Sequence, residues 1–401
     1  MNEGTGTTGS ESIWIIGARI APGDGASFEG AVRINGGRIA EVCDRESFNK
    51  RVARNADGAT VIDAEGGWLL PGFVDIHVHG GFGASFMEAT AESFDTISRF
   101  HAEHGTTTML ATTVTAGPQD IEAVIATSAS YASRPMPYAQ VAGVHLEGPF
   151  ISRKWPGAQN PEFISPPRTD WLESWHAAYP DQIRMMTLAP ETEGAQACIS
   201  WLDRHGIVPS LGHTDAAYAD VQAAVEAGLR HAVHTFNAMK GLHHREPGCA
   251  GAVLTDDRIS AEVIPDGHHV HPACIRLLVR SKPVDKLILI TDAISAAGLG
   301  DGSYELGGLD VEVRSGVATL RDGGSLAGST LTMIDAFRFM VREVGVSVEA
   351  ASRMASANPA AVLGMDDRIG RIAAGMQADL LLVDAGLQLR QVWANGRTQL
   401  G

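Results

Sequence analysis

Cysteine is scarce in this sequence: Cys43, Cys198, Cys249 and Cys274 are the only four in 401 residues, and none forms a CxxC pair. Four scattered thiols do not make a disulfide framework, so the expected compartment is the reducing cytoplasm. Basic residues are also short, with 31 Lys and Arg against 47 Asp and Glu, a formal net charge of -16 and a pI of about 5.3. A field of that sign repels nucleic acid and anionic membrane surfaces, and neither is expected as a partner. Any phosphate must then be held by a local basic cluster. No window approaches ~20 uninterrupted apolar residues, which argues against a helical membrane span. The opening MNEGTGTTGSES lacks the basic start and apolar stretch of a secretory signal, and residues 1–10 read as a disordered lead-in.

What is present is an ordinary globular composition, 44% hydrophobic and 19% charged, on a chain long enough for one barrel with an appendage. Early in the chain, IWIIGARI, AVRINGGRIAEV and ATVIDA are short apolar runs broken by Gly and Asp, the punctuation of small antiparallel strands. The texture returns in GGLDVEVRSGVATL and in DLLLVDAGLQLRQVWANGR, whose Asn-Gly is a hairpin signal. Both chain ends, 11–66 and 365–401, are therefore expected to build one small β-sandwich domain. Between them, over 67–364, apolar runs alternate with segments of helical period, several ending in Gly (Gly105, Gly206, Gly228, Gly345). Repeated βα units imply a parallel sheet, and the expected fold class is α/β, a (β/α)8 TIM-like barrel.

The run WLLPGFVDIHVHG ends in His77 and His79, and residues two apart on a strand share a face, so both imidazoles can reach one ion. Glu147, behind His145, closes the run through YAQVAGVHLE; His213, His234 and Asp292 close three more. Five expected strands thus deliver metal-ligand residue types at their C-terminal ends, where barrel enzymes carry their chemistry. An open doubly wound sheet collects fewer strand ends in one crevice. A lone histidine among 15 is ordinarily a surface or satisfied core group, and His101, His104, His176, His205 and His231 are read that way. Imidazole and carboxylate without thiolate suit Zn²⁺, Fe²⁺, Mn²⁺ or Co²⁺, and the residues alone do not choose among them; zinc is the metal expected first. Six candidates exceed the three protein ligands of a typical catalytic zinc, so one or two divalent ions are expected, two bridged by Glu147 being preferred.

The segments PGFVDIHVHG (71–80), HLEGPF (145–150), SLGHTDA (210–216), HTFNAM (234–239), HHREPG (243–248), DGHHV (266–270), ITDA (290–293) and LAGSTLTM (326–333) resemble the amidohydrolase superfamily. Within it they look like the N-acetylglucosamine-6-phosphate deacetylase family, and the likeness spans nearly the whole chain. The tail GRIAAGMQADLLLVD (370–384) resembles a general superfamily signature. The resemblance implies that His77, His79, Glu147 and Asp292 hold a first ion, and Glu147, His213 and His234 a second. It implies that Asn237, Ala238, Arg245 and His269 grip an amino sugar phosphate, with Arg245 reaching in from the neighbouring subunit of a homodimer, and that Leu326, Ala327, Gly328 and Ser329 lie along the sugar. An Arg fork matches phosphate geometry; the other role open to Arg245 is a surface ion pair with Glu246. Where the family commonly reads GTHNP this chain has GAQNP, so Gln159 takes the place of a sugar-contacting His.

The activity so implied is hydrolysis of the N-acetyl group of N-acetylglucosamine 6-phosphate to glucosamine 6-phosphate and acetate, with Asp292 as general base and acid. Asp292 as a purely structural ligand is the alternative at that position. A related substrate such as N-acetylgalactosamine 6-phosphate and a non-catalytic sugar-phosphate sensor are the competing functions. Hydrolysis of a cyclic amide or dipeptide would usually bring a carboxylated Lys between the metals, where this chain offers Glu147.

Overall fold

The computed structural model describes residues 12–52 and 59–400, so the lead-in expected over 1–10 lies outside the described residues. Eight parallel strands follow one another around the central sheet: β1 (Phe73–Asp75), β2 (Thr106–Thr113), β3 (Gln140–Glu147), β4 (Ile183–Leu188), β5 (Val208–Leu211), β6 (His231–Ala232), β7 (Ser260–Val263) and β8 (Leu287–Leu289). The ladder between β8 and β1 closes just past the strand ends. There Asp292 N–H donates to His77 O and His79 N–H to Ala293 O, both at 2.9 Å, and Thr291 Oγ1 donates to the Asp75 carboxylate at 2.6 Å. The expected (β/α)8 barrel is the observed fold.

The strands read as continuous apolar and Thr-rich runs because both faces are covered; all eight residues of TTTMLATT in β2 are buried. A helix follows each: α1 (Ala91–Glu103), α2 (Pro118–Ala132), α3 (Thr169–Ala178), α4 (Ala195–Arg204), α5 (Tyr218–Glu226), α6 (Gly248–Thr255), α7 (Pro272–Ser281) and α8 (Met333–Phe339). In α1, Thr90 caps the start by accepting from Ser93 N–H at 3.1 Å, and Phe94, Ile97 and Phe100 form the buried face. Each such side chain contributes about 1.5–3 kcal/mol, so a charge at Ile97 would undock the helix. The lumen is filled by Val74, Ile76, Leu110, Met185, Val208, Ile264, Ile288 and Ile290. Ala360, Leu363, Met365 and Ile369, in and after helix α9 (Ala357–Val362), plug its N-terminal end.

The chain ends meet in a second, mostly antiparallel sheet, in the order Arg397–Leu400, Leu389–Ala394, Leu380–Val383, Trp68–Pro71, Ile13–Ile20, Phe28–Asn35, Arg38–Asp44. Trp68–Pro71 belongs to this sheet, so WLLPGFVD is two strands rather than one. They part at Gly72, where a Cβ would stand 2.1 Å from Thr107 Oγ1. One expectation is corrected. GGLDVEVRSGVATL does not join the sheet of the chain ends; Gly302–Leu306, Leu309–Arg314 and Val317–Leu320 form a sheet of their own. Alternation correctly marked half-buried strands, but their apolar face (Leu306, Val311, Val313, Ala318) packs on Val114, Ile294, Ala296 and Ala327 at the barrel mouth.

Candidate metal centre and its pocket

All six expected ligands converge at the C-terminal end of the barrel, with Glu147 in the middle. His213 Nε2 and His234 Nε2 stand 3.2 and 3.0 Å from Glu147 Oε1, His77 Nε2 3.2 Å from the same oxygen, and His79 Nε2 3.3 Å from Oε2. Asp292 Oδ1 lies 3.1 Å from His79 Nε2 and 3.6 Å from His77 Nε2. Every imidazole has its other nitrogen committed. Nδ1 donates to Thr112 O from His79 (3.2 Å), to Trp155 O from His213 (3.0 Å), to Asn237 O from His234 (3.2 Å) and to Glu262 Oε2 from His77 (2.9 Å).

This donor set fits a divalent cation. With each Nδ1 anchored, four Nε2 atoms face two carboxylates; His213 and His234 bring theirs within 3.3 Å of each other, and buried His77 Nε2 has no hydrogen-bond partner. His77, His79 and Asp292 form one group, and His77, Glu147 and His234 another, with ligand atoms within 4.8 Å of one another in each. Distance thus places His77 in both groups, where the resemblance put it in the first alone. Burial works against charge here, yet the cluster keeps it. Desolvation raises Glu147 and Asp292, but His77 and the other imidazoles hold both carboxyls below their usual range, Glu147 well below. Desolvation likewise lowers His79, and its bonds to Asp292 and Glu147 outweigh that and lift it to about 9.

The loops that aim these groups are strained. His213, His234, Phe236, Ala238 and Asp292 adopt φ of 50, 27, 82, 46 and 52°, a region costly for residues with a Cβ and found where surroundings over-determine the backbone. Gly328 is required for the same reason. At φ 56° a Cβ there would sit 2.8 Å from Asp292 O and 2.5 Å from Ile294 Cγ2.

A cavity of about 430 Å³ opens directly onto the cluster, walled by His79, Glu147, His213, His234 and Asp292 on one side and by Lys154, Trp155, Gly157, Asn237, Ala238, His269, Leu326 and Gly328 on the others. Of the residues expected along the sugar, Asn237, Ala238, His269, Leu326 and Gly328 therefore line this cavity. Ala327 and Ser329 do not. Ala327 is fully buried against the mouth sheet, and Ser329 holds Asp292 from behind, its N–H donating to Asp292 O at 2.7 Å and its Oγ to Thr291 O at 2.5 Å. Gln159 lines the cavity, but its amide is already engaged: Nε2 donates to Glu147 Oε2 at 2.6 Å and Oε1 accepts from Thr115 N–H at 2.6 Å. Arg245 is exposed outside this cavity, bonded to His244 Nε2 at 2.8 Å, and the ion pair open to it is absent because Glu246 pairs with Lys240.

With the barrel and the strand-end cluster in place, residues 68–398 match the amidohydrolase family. The chain belongs to that family. It is 40% identical over 329 residues to an N-acetylglucosamine-6-phosphate deacetylase of Vibrio furnissii, covering 82% of each chain. It is equally 40% identical over 338 residues to an N-acetylgalactosamine-6-phosphate deacetylase of Escherichia coli O157:H7, covering 84% of this chain and 89% of the relative. A Mycobacterium smegmatis N-acetyl-D-glucosamine-6-phosphate deacetylase variant, solved with N-acetyl-D-glucosamine-6-phosphate, superimposes with a TM-score of 0.90 at 34% identity over 98% of this chain and 100% of that one.

In this amidohydrolase the cluster implies a divalent metal. Two groups behind it escaped sequence reasoning. Glu262, on β7, accepts from His77 and from His231 Nε2 at 2.9 Å, so His231 is part of the support of the centre rather than an indifferent core residue. His145 stays neutral, since burial drives it down to about 3; its Nδ1 donates to Ile76 O and its Nε2 accepts from Thr187 Oγ1. The available signal for Glu262 was a lone carboxylate inside the apolar strand SAEV.

Proposed function

We propose that this amidohydrolase removes the acetyl group of N-acetylglucosamine 6-phosphate, giving glucosamine 6-phosphate and acetate. The observation that carries the reading is the placement of Asp292. Its side chain keeps 12% exposure toward the cavity, against 2% for Glu147, while two imidazoles hold it ionised. A carboxylate so placed takes a proton from the attacking water and hands it to the departing amine as the C–N bond breaks, without which the amine leaves poorly. When bound at the six-ligand cluster, a divalent ion supplies Lewis acidity to the amide carbonyl and makes water acidic near neutral pH. His77, His79, Glu147 and Asp292 would hold one ion and Glu147, His213 and His234 a second, with zinc our preferred metal.

Asn237, Ala238, His269, Leu326 and Gly328 receive the sugar. Arg245 serves the pocket of a second subunit in a cytoplasmic homodimer, a role that its exposure outside its own cavity supports. Mixing inactive Arg245→Ala and Asp292→Asn subunits should then restore part of the activity, and no recovery in verified mixed dimers would remove that role. The second reading, deacetylation of the 4-epimer N-acetylgalactosamine 6-phosphate, is favoured by the equal identity to a relative of that name. An acetate-release panel across the two epimers decides: a kcat/KM preference for the gluco sugar is expected, and a galacto preference would replace the first reading with the second.

A further inference from the structure

Three of the four imidazoles in the cluster anchor Nδ1 on a neutral backbone carbonyl, whereas His77 anchors it on a carboxylate. That carboxylate, Glu262, is wholly buried and forms no part of the cavity wall. Its Oε2 accepts from His77 Nδ1 at 2.9 Å and from the backbone N–H of His234 at 3.2 Å, and its Oε1 accepts from His231 Nε2 at 2.9 Å. One side chain of β7 thereby ties together the segment just after β1, the loop after β6 and the first residue of β6.

From this geometry we infer that Glu262 is the positioning residue of the metal centre: it fixes the His77 proton on Nδ1, leaves Nε2 as a ligand atom, and makes His77 a stronger donor than the three carbonyl-anchored imidazoles. The inference rests on the metal-centre reading above and deepens it. An ionised carboxylate only accepts, so His77 cannot turn its proton toward Glu147 without breaking the bond to Glu262. A carboxylate behind a ligating imidazole raises its basicity, and losing such a partner typically weakens metal affinity 10–100-fold. His231 completes the arrangement by donating to the second oxygen, so that both oxygens of Glu262 are held by hydrogen bonds.

The test compares wild type with Glu262→Gln and Glu262→Leu after loading with Zn²⁺. Zinc is titrated off with a graded chelator, bound zinc is counted by elemental analysis, and the histidine ring nitrogens are read by ¹⁵N NMR in the zinc-loaded protein. Glu262→Gln keeps the volume and can still accept from one partner, so its fold is retained. It should lose one zinc at a chelator strength about 10–100-fold lower than wild type, with a shifted His77 Nδ1 signal and unshifted His79 and His213 signals. Glu262→Leu should lose the same zinc more readily still. Unchanged zinc retention and an unchanged His77 signal in Glu262→Gln would overturn the inference while leaving the metal centre standing. A fall in melting temperature with neither change would do the same, assigning Glu262 to packing alone. A wild type that takes up no zinc would instead overturn the metal-centre reading itself.

Discussion

Two regions of the molecule, the imidazole cluster at the barrel mouth and the junction of the two sheets at its base, treat buried carboxylates in opposite ways. At the C-terminal mouth, Asp292 and Glu147 are deeply buried yet held ionised, because imidazoles crowd around them. At the N-terminal end, where the sheet of the chain ends abuts the barrel, Asp379 is just as buried. One of its oxygens accepts from Asn395 N–H at 2.6 Å and the other has no partner, and burial pushes it up to about 7. Surroundings, not depth, decide the charge of a buried acid. The mouth keeps ionised groups and strained loops around a cavity; the base is filled by apolar side chains, none of them on a positive-φ residue.

Breaking the comparison at the mouth should have the largest effect. Asp292→Asn keeps the shape and removes the proton acceptor, so kcat should fall on the order of 10²–10⁴-fold while metal content, measured on the same sample, survives. Retained turnover would leave Asp292 as a ligand only. At the base, Ile288→Ala opens a cavity around a fully buried side chain and should cost about 2–5 kcal/mol in denaturant unfolding, with kcat per folded molecule unchanged. A selective loss of kcat there would show that the two ends are not separable.

Asp379 sharpens the contrast through pH. Its folded-state pKa lies above its unfolded value, so folding favours the protonated acid. The stability this contributes is fully present below about pH 4 and is lost as pH rises through about 7, at roughly 1.4 kcal/mol per pH unit in that window. The melting-temperature difference between Asp379→Asn and wild type should therefore grow in favour of the variant from pH 4 to 7 and level off above. A difference independent of pH would contradict the assignment. The smallest effect expected is at Gln159. If it positions Glu147, Gln159→Ala should lower kcat roughly tenfold and loosen metal with little change in KM. A KM effect alone would return it to the sugar.

Much of the mouth was legible because strand ends advertise themselves: an apolar run that stops at His or Asp has a direction, and five such stops pointed to one rim. The closed barrel followed from the βα rhythm for the same reason. What stayed hidden depends on which element lies opposite. Glu262 reads as a solvent-facing break in an apolar strand until β1 and β6 are placed beside it, and its partner His231 reads as core for the same reason. Gln159 looked like a sugar contact in GAQNP, but its loop folds back so that the amide meets Glu147 and Thr115. Ala327 and Ser329 sat inside a motif that touches the cavity through its neighbours only. Alternation in GGLDVEVRSGVATL marked a buried face without saying what buries it.

The most direct test of the metal-dependent deacetylase reading is acetate release from N-acetylglucosamine 6-phosphate by protein stripped with a chelator and then reloaded with Zn²⁺. One acetate and one free amine should appear per substrate in the reloaded protein and none in the stripped one; turnover that ignores the chelator, or no acetate from either epimer, would contradict it.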